Sequence, residues 1–436
     1  THKSGTASFD WTPEATTIRS EMATLADVSE EDVNEDTSIF EIGLDSVDAV
    51  KLSSRLKKKN LALPVSTIMK SQTIAHMSST LQPTKEDIPN DKSEQTFQEL
   101  GKKLTAYAQG HIDGTHSLER VLPASPMQEA LVSEMVRSSY RAYFNHDVLK
   151  IPKDVDPESL EKAWRKVIEA SPILRTGFLE IDDPEMETTF AQIIYKHDDS
   201  RPLEFGFVKV PTEDAITEHL DQIGSDVASA ALTQPQLHLT WAATPQDRYL
   251  VFSIAHALYD GHSLSLLHHD VLRAYNDVLQ PRPFYDEILR DTFGGSNEEA
   301  VTFWRDLLAH ANKTHLPRRH TPKEFEVTTH RTEKTSQLSS DDLTSFCKLQ
   351  GVTLQAVCQT AWAFVLAQTV QSLDVMFGVV LAGRDSELAE EVMFPMMNTV
   401  VMRSVLHGSR KDMLQSIQAT ISDISNHQHF PLRRIQ

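Results

Sequence analysis

The sequence predicts a small all-α bundle followed by a larger α/β (α+β) portion, and three observations support this order. A length of 436 residues exceeds what one compact core usually holds, so two or three domains are expected. Apolar residues recur at helical spacing in the first part, whereas from about residue 116 helix-like and strand-like segments alternate. A polar stretch separates the two patterns.

The helical pattern runs from about residue 13 to residue 82. A loop at Asp36–Phe40 separates the first predicted helix from a second that begins near Ser46, and Leu63-Pro64 ends the second. The apolar positions of the three helices are, in order, Ile18, Met22 and Leu25; Ala49, Leu52 and Leu56; and Ile74, Met77 and Leu81. A basic run lies on the second helix at Lys51, Arg55, Lys57, Lys58 and Lys59. A solvated face is its favoured interpretation, with a docking patch as the alternative.

The polar stretch at residues 83–115 has the composition of a linker, with a short helix expected around Phe97–Tyr107. Pro281 and Pro283 then interrupt the mixed pattern. We therefore assign residues 1–82 to the bundle, 83–115 to the linker, and 116–290 and 291–436 to two lobes of the larger portion.

Helix starts in the larger portion carry clear capping signals. Ser125-Pro126-Met127-Gln128 places Ser at the N-cap, Pro at the first helical position and Gln at the third, and Asp156-Pro157 repeats this logic. Strands are predicted at Gln192–Tyr195, Gln236–Trp241, Tyr249–Ile254, Val375–Leu381 and Thr399–Val405, and helices at Leu264–Tyr275, Glu298–His310 and Ser340–Thr369 with a break at Gly351.

Composition excludes several classes of function. The formal net charge of −20 and the pI near 5.4 argue against a nucleic-acid partner and an anionic membrane surface. Cys347 and Cys358 lack metal-ligand spacing, so neither a metal site nor a disulfide framework is predicted, and a reducing, cytoplasmic compartment is expected. No apolar run reaches membrane-spanning length. Because the chain opens Thr-His-Lys, we expect a piece of a longer polypeptide.

A serine at the predicted start of the second helix is the first candidate site. Gly43 permits an unusual backbone conformation, and Ser46 follows at a helix N-terminus, where free N–H groups favour a phosphate. Asp45 adds a carboxylate beside it. The alternative is that Asp45 and Ser46 only cap the helix.

The Gly43-Leu44-Asp45-Ser46 sequence, with its bundle and linker, resembles the carrier domains of modular synthetases, whose motif is Gly-x-Asp-Ser. The resemblance implies a four-helix carrier with 4'-phosphopantetheine on Ser46. It also implies a phosphopantetheinyl transferase as a partner.

A histidine after an apolar strand is the second candidate site. His256 exchanges a proton near neutral pH, Asp260 is better suited to anchoring the loop than to acting as a base, and Gly261 permits a tight turn before a helix. A lone histidine at a strand end is more often a satisfied core residue.

The segment His256-Ala257-Leu258-Tyr259-Asp260-Gly261 resembles the His-His-x-x-x-Asp-Gly motif of nonribosomal peptide synthetase condensation domains, with Ala255 in place of the first histidine. Leu122–Glu129, Ser171–Phe178 and Asn398–Arg403 resemble other segments of that family. The resemblance implies two chloramphenicol-acetyltransferase-like lobes with the chain ending inside the second. Several stretches, including Glu391–Val400 and His427–Arg433, resemble fungal hydroxamate siderophore synthetases.

The resemblance implies that His256 orients an acceptor amine or hydroxyl and takes its proton, or stabilises the tetrahedral intermediate. Asp260 would hold the loop through Arg175 or Arg384. Implied partners are adenylation and carrier domains and carrier-bound aminoacyl or peptidyl substrates. A non-catalytic docking module, favoured by Ala255, and a stand-alone coenzyme-A-dependent acyltransferase are the alternatives.

Overall fold

The computed structural model of the chain describes residues 9–44, 46–81, 91–112, 118–186, 188–197, 205–229, 231–294, 298–317, 331–384 and 386–435. Contacts between α-carbons divide the chain into two compact units. Unit 1 comprises Thr1–Asp87, Asn297–Glu387 and Thr399–Gln436, and unit 2 comprises Ile88–Ser296 and Leu388–Asn398.

Four helices form the N-terminal bundle of unit 1. They are α1 (Pro13–Ala26), α2 (Ser46–Lys58), α3 (Val65–Ser71) and α4 (Ile74–Thr80). Helix α1 begins where Thr12 accepts a hydrogen bond from Ala15 N. The predicted apolar positions lie in one core, in which Ile18, Met22, Leu52, Leu56, Ile74 and Met77 are fully buried.

The helix predictions for the bundle need two corrections. Helix α3 is absent from the sequence prediction, although Val65, Ile68 and Met69 recur at helical spacing. Leu81 lies after α4 rather than in it, because Thr80 is the last helical residue.

Unit 2 contains an α/β arrangement. Its elements in chain order are α5 (Asp91–His111), β1 (Leu118–Pro123), α6 (Pro126–Arg137), β2 (Phe144–Ile151), α7 (Pro157–Ala170), β3 (Thr176–Glu180), β4 (Phe190–Tyr195), β5 (Gly206–Lys209), α8 (Asp214–Ser229), β6 (Leu237–Ala243), β7 (Arg248–Ala255), α9 (Gly261–Tyr275) and α10 (Asp286–Gly294). The capping box predicted at Ser125 and Gln128 is present, and Asp156 caps α7.

Two sheets organise unit 2. One has the strand order β1-β4-β3 and is antiparallel, and the other has the order β2-β7-β6-β5, with only the β5–β6 pair parallel. Strand β7 therefore lies between two partners, and its residues from Tyr249 to Ala255 are all buried. A strand held on both edges and both faces gives a rigid support to the loop that follows it.

Helix α5 is longer than the short helix expected around Phe97–Tyr107. Its Leu104 and Ala108 are fully buried in a small apolar cluster with Val121 and Ile193. Packing against strand residues thus extends the helix beyond what its polar sequence indicates.

The remaining elements are α11 (Glu298–Leu307), α12 (Ser340–Gln350), α13 (Leu354–Val370), β8 (Asp374–Leu381), α14 (Glu387–Glu391), β9 (Asn398–Val405), α15 (Arg410–Ser425) and α16 (Leu432–Ile435). The break predicted at Gly351 is real, since that residue adopts a left-handed φ of 63° and caps α12. Strands β8 and β9 pair with each other.

Cys347 and Cys358 are free thiols. Within the described residues, no helix has the length and apolarity needed to cross a membrane.

Candidate functional site

The serine site lies where the loop after Phe40 joins α2. Gly43 has a φ of +89°, a left-handed conformation that favours glycine, and α2 begins at Ser46. The first residue of a 13-residue helix lies among N–H groups that have no partner inside the helix. Asp45, predicted beside Ser46, lies outside the described residues.

The surroundings of this loop fit a phosphate-linked arm. A Cβ atom built on Gly43 would have a single neighbour within 4 Å among the described atoms, the Nζ atom of Lys348 at 3.8 Å. Open space, a helix N-terminus and a nearby ammonium group all suit an anionic substituent on the neighbouring serine. Ser46 would hold the arm, and when bound the arm supplies a thiol that carries an acyl group as a thioester.

His256 follows directly after the last residue of β7 and opens a short 3-10 turn. Its backbone N–H donates to Tyr143 O at 2.8 Å, and its Nδ1 atom lies 2.9 Å from Tyr259 O. A carbonyl oxygen only accepts, so the ring proton belongs on Nδ1 and a lone pair remains on Nε2. The half-buried His256 side chain therefore has a fixed tautomer, and its Nε2 atom has no hydrogen-bond partner among the described residues.

Two tyrosine rings flank the His256 ring. The Tyr259 ring is stacked on it with centroids 4.7 Å apart and an angle of 19°, and the Tyr143 ring lies 6.2 Å away. Asn145 Nδ2 donates to the Tyr259 hydroxyl at 2.6 Å. Burial raises the pKa of Tyr259, which the hydrogen bond from Asn145 partly opposes. The Tyr259 side chain is thus neutral and is held by its stacking on His256 and by the hydrogen bond from Asn145.

Asp260 is an N-cap rather than a group directed at a reacting atom. Its Oδ1 atom accepts from Ser263 N at 2.8 Å, and Ser263 Oγ accepts from Asp260 N, completing a capping box. Its Oδ2 atom accepts from Met396 N at 2.8 Å. The buried carboxylate therefore joins the start of α9 to residues 388–398.

Of the two arginines suggested for Asp260, Arg175 has other partners. Arg175 donates through Nε to Ile168 O at 3.1 Å and through Nη1 to Glu119 at 2.7 Å, so it joins the end of α7 to β1. Arg384, the other candidate, is buried, and its pairing with Asp260 stays a prediction. Gly261 is the first residue of α9, without a left-handed φ and with open space around a built Cβ. Its backbone therefore gives no support to the tight turn expected there.

A chain of buried amides supports the turn at residues 256–258. Gln128 Nε2 donates to Ala257 O at 2.9 Å, while its Oε1 atom accepts from Ser125 N in the capping box. Gln192 Oε1 lies 3.5 Å from Gln128 Nε2 and accepts from the Tyr285 hydroxyl at 3.3 Å. The sequence revealed Gln128 only as a capping residue.

The sequence analysis also missed Tyr143, Asn145, Tyr259 and Met396. Asn145 lies in β2 and Tyr143 directly precedes that strand, and their proximity to His256 follows from the β2–β7 pairing, in which Phe144 lies opposite Ala255. No group of three or more His, Cys, Asp or Glu side chains in the described ranges is arranged to hold a metal ion.

Two features are those expected of a carrier-linked acyltransferase: a helical bundle with a serine at a helix start, and an α/β portion with a histidine at the end of a buried strand. Residues 118–436 match the family model described as Condensation domain, and residues 16–81 match that described as Phosphopantetheine attachment site. The chain belongs to the condensation-domain family, with a phosphopantetheine attachment domain preceding the condensation domain.

Fungal synthetases are similar to nearly the whole chain. Nonribosomal peptide synthetase 2 of Cochliobolus heterostrophus is 43% identical over 98% of the chain, and Nonribosomal peptide synthetase sidC of Arthroderma benhamiae is 37% identical over 99%. The chain spans only 8% of the length of either relative. These matches confirm the predicted synthetase carrier and condensation domains.

A solved structure supports the fold. The condensation domain from the Monacolin K polyketide synthase MokA aligns with a TM-score of 0.57 at 15% identity, covering 73% of this chain and 76% of that one. The predicted fold class, a helical carrier followed by a chloramphenicol-acetyltransferase-like condensation domain, is confirmed. Such domains work among other synthetase domains and on carrier-bound substrates.

Proposed function

We propose that Ser46 bears 4'-phosphopantetheine and that His256 is the catalytic residue that transfers the carried aminoacyl or peptidyl group to an acceptor amine or hydroxyl. The bond formed is an amide or an ester, and a ring if donor and acceptor belong to one molecule. The observation that carries this proposal is the 2.9 Å contact between His256 Nδ1 and Tyr259 O, which leaves Nε2 free to act as a base.

In this proposal Nε2 of His256 takes the proton of the acceptor amine or hydroxyl as that group attacks the acyl carbon of the thioester. The C–S bond would then break, and the sulfur would leave as a thiol with the proton returned by His256. The stacked Tyr259 ring and the bond to Tyr259 O hold the imidazole in one orientation. Asp260 acts as a positioning residue, since both of its oxygens are used in backbone hydrogen bonds. Asp45 would add charge next to the attachment serine, and Gly261 begins the helix that Asp260 caps.

We assign the chain to hydroxamate siderophore biosynthesis. The sidC synthetase of Arthroderma benhamiae is 37% identical over nearly all of the chain, and three stretches of the sequence resemble siderophore synthetases. Because the chain spans 8% of that relative, the substrate and product of the whole polypeptide belong to this proposal.

The domain boundaries proposed from the sequence are residues 1–82 for the carrier, 83–115 for the linker, and 116–290 and 291–436 for the two lobes. A phosphopantetheinyl transferase would load Ser46 from coenzyme A, and adenylation domains would supply substrates. The net charge of −20 opposes binding to nucleic acid or anionic membranes, and two free thiols suit the reducing cytoplasm.

A non-catalytic docking module is the second candidate, and Ala255 is the observation that favours it. Ala255 is fully buried at the end of β7, so the position of the first motif histidine holds no proton-exchanging group. The ordered tautomer of His256 argues for catalysis, because docking alone requires no fixed imidazole.

Two measurements test the proposal. Intact-mass analysis after treatment with a phosphopantetheinyl transferase and coenzyme A should show one added phosphopantetheine on the wild type and none on Ser46→Ala. The loaded chain, carrying an aminoacyl group and offered an aminoacyl thioester as acceptor, should form product, whereas His256→Ala should not. Equal product from both would overturn the role of His256, and no product from the loaded wild type would favour the docking module.

A further inference from the structure

Unit 1 brings the carrier bundle and part of the condensation domain together. Helix α3 packs against α15, with an ion pair between Lys70 and Asp423. Gln72 Nε2 donates to Gly351 O at 3.2 Å, at the C-terminal end of α12. The surface between bundle and condensation domain therefore includes one end of α12.

A second set of contacts involves the basic run of α2. Lys58 forms an ion pair with Glu387, and Arg55 Nε lies 3.8 Å from the same carboxylate. Lys59 pairs with Glu21 inside the bundle. For Arg55 and Lys58, these contacts therefore support a docking patch rather than a solvated face. These exposed pairs contribute little energy individually, but they fix which face of the bundle meets the condensation domain.

Lys348 lies in the last turn of α12, three residues before the left-handed cap at Gly351. Its side chain is exposed, and its Nζ atom is 3.8 Å from a Cβ built on Gly43 in the carrier loop. Among the described residues, no carboxylate forms an ion pair with Lys348. A cation in the last turn of a helix is favourable by itself, but that does not explain its approach to the carrier loop.

The position of Gly43 relates Lys348 to the attachment serine. Ser46 is three positions after Gly43, so their α-carbons are at most about 11 Å apart. A phosphate on Ser46 would therefore lie within the range that the flexible lysine side chain can cover. The arm would thus bring an anion to a cation that pairs with no carboxylate among the described residues.

Resting on the proposed role of Ser46, we propose that Lys348 of the condensation domain binds the phosphodiester of the arm on Ser46 while the carrier is docked on α12 and α15. The ammonium group donates a hydrogen bond to a phosphate oxygen. This contact would make docking stronger for the loaded carrier than for the unloaded one. Lys348 is a binding residue for the phosphate and takes no part in the acyl chemistry assigned to His256.

Hydrogen exchange of the full chain, with and without the arm, tests this. Backbone amides of α12 should exchange about two- to five-fold more slowly in the loaded chain, as expected for one exposed charge pair. In Lys348→Gln, the ratio of the exchange rates of the unloaded and loaded chains should be close to one. Lys348→Arg should largely preserve the wild-type ratio. Lys411→Gln, which removes an equally exposed charge from α15, should behave like the wild type.

Loading is verified by intact mass before each exchange experiment. A loaded Lys348→Gln chain with the wild-type ratio would overturn the role of Lys348 and leave the carrier proposal standing. A wild-type chain that takes no phosphopantetheine would overturn the carrier proposal first, and the phosphate contact with it.

Discussion

Asp260 Oδ2 accepts a hydrogen bond from Met396 N at 2.8 Å, although the two residues are 136 positions apart in the chain. The same carboxylate caps α9 through Ser263 N. Since His256 lies four residues before Asp260, this bond connects the histidine loop to the segment Leu388–Asn398. The aspartate of the motif thus joins two distant parts of the sequence into unit 2.

Replacing Asp260 should destabilise unit 2 more than replacing an ordinary helix cap. Asp260→Ala removes the cap and leaves the buried Met396 N–H without its acceptor, a loss of about 2–4 kcal/mol in the free energy of unfolding. Asp156 caps α7 in the same way at an exposed position, so Asp156→Ala is the matched control and should cost less. Equal shifts of the urea midpoint for the two variants would refute the anchoring role.

The amide nitrogen of Gln128 should matter separately from its capping role. Gln128→Glu keeps an oxygen for Ser125 N but loses the donor to Ala257 O. An unpaired buried carbonyl, with a carboxylate now facing it, should cost about 1–3 kcal/mol of stability. Urea unfolding measures this, and Ser125→Ala, which removes part of the capping box but keeps the bond to Ala257, is the comparison. A neutral result for Gln128→Glu would show that the turn needs no support from α6.

Tyr259 and Asn145 should act as one unit in orienting His256. Tyr259→Phe removes the 2.6 Å bond to Asn145 but keeps the stacked ring, so acyl transfer should slow by about three- to ten-fold. Asn145→Ala should have a similar effect, and the double variant should be no slower than either single one. Tyr259→Leu, which also removes the stacking, should be slowest. Additive losses in the double variant would mean that the two side chains act independently.

His238 should make unit 2 sensitive to mild acid. Burial lowers the pKa of His238 below its ordinary value of 6.5, and Asp226 opposes this only in part. Its contribution to stability is therefore complete above pH 6.5 and is lost as the pH falls below that value, because the unfolded chain binds the proton first.

The unfolding temperature of the wild type should accordingly fall between about pH 7.5 and about pH 5.5. His238→Gln should show a smaller fall, with the rest arising from other groups such as His427, whose pKa burial also lowers. An identical pH dependence in wild type and variant would exclude His238 as the cause.

The features of this structure that depend on neighbouring residues could be predicted from the sequence. The features that depend on contacts between distant residues could not. The cap at Ser125, the break at Gly351 and the apolar positions of the bundle depend on residues within one or two turns, so the sequence reveals them. Helix α5 extends further than expected because its apolar side chains find partners on β1 and β4.

The candidate site shows the same division. His256 and Asp260 were identified by spacing within one segment, whereas the neighbours that give them their properties come from β2 and from residues 388–398. Arg175 was one of two arginines suggested for Asp260, but its guanidinium donates to Glu119 and to the carbonyl of Ile168. Such pairings depend on strand register and packing, which one sequence does not specify.

The most direct test of the account is the single-turnover rate at which an aminoacyl group leaves Ser46 for an added aminoacyl thioester. Intact mass spectrometry follows the acylated and free arms of the same loaded chain over time. The account predicts that His256→Ala, with normal loading of Ser46, slows this transfer by about 10²- to 10⁴-fold, the contribution of a general base. Transfer at the wild-type rate in loaded His256→Ala would contradict it.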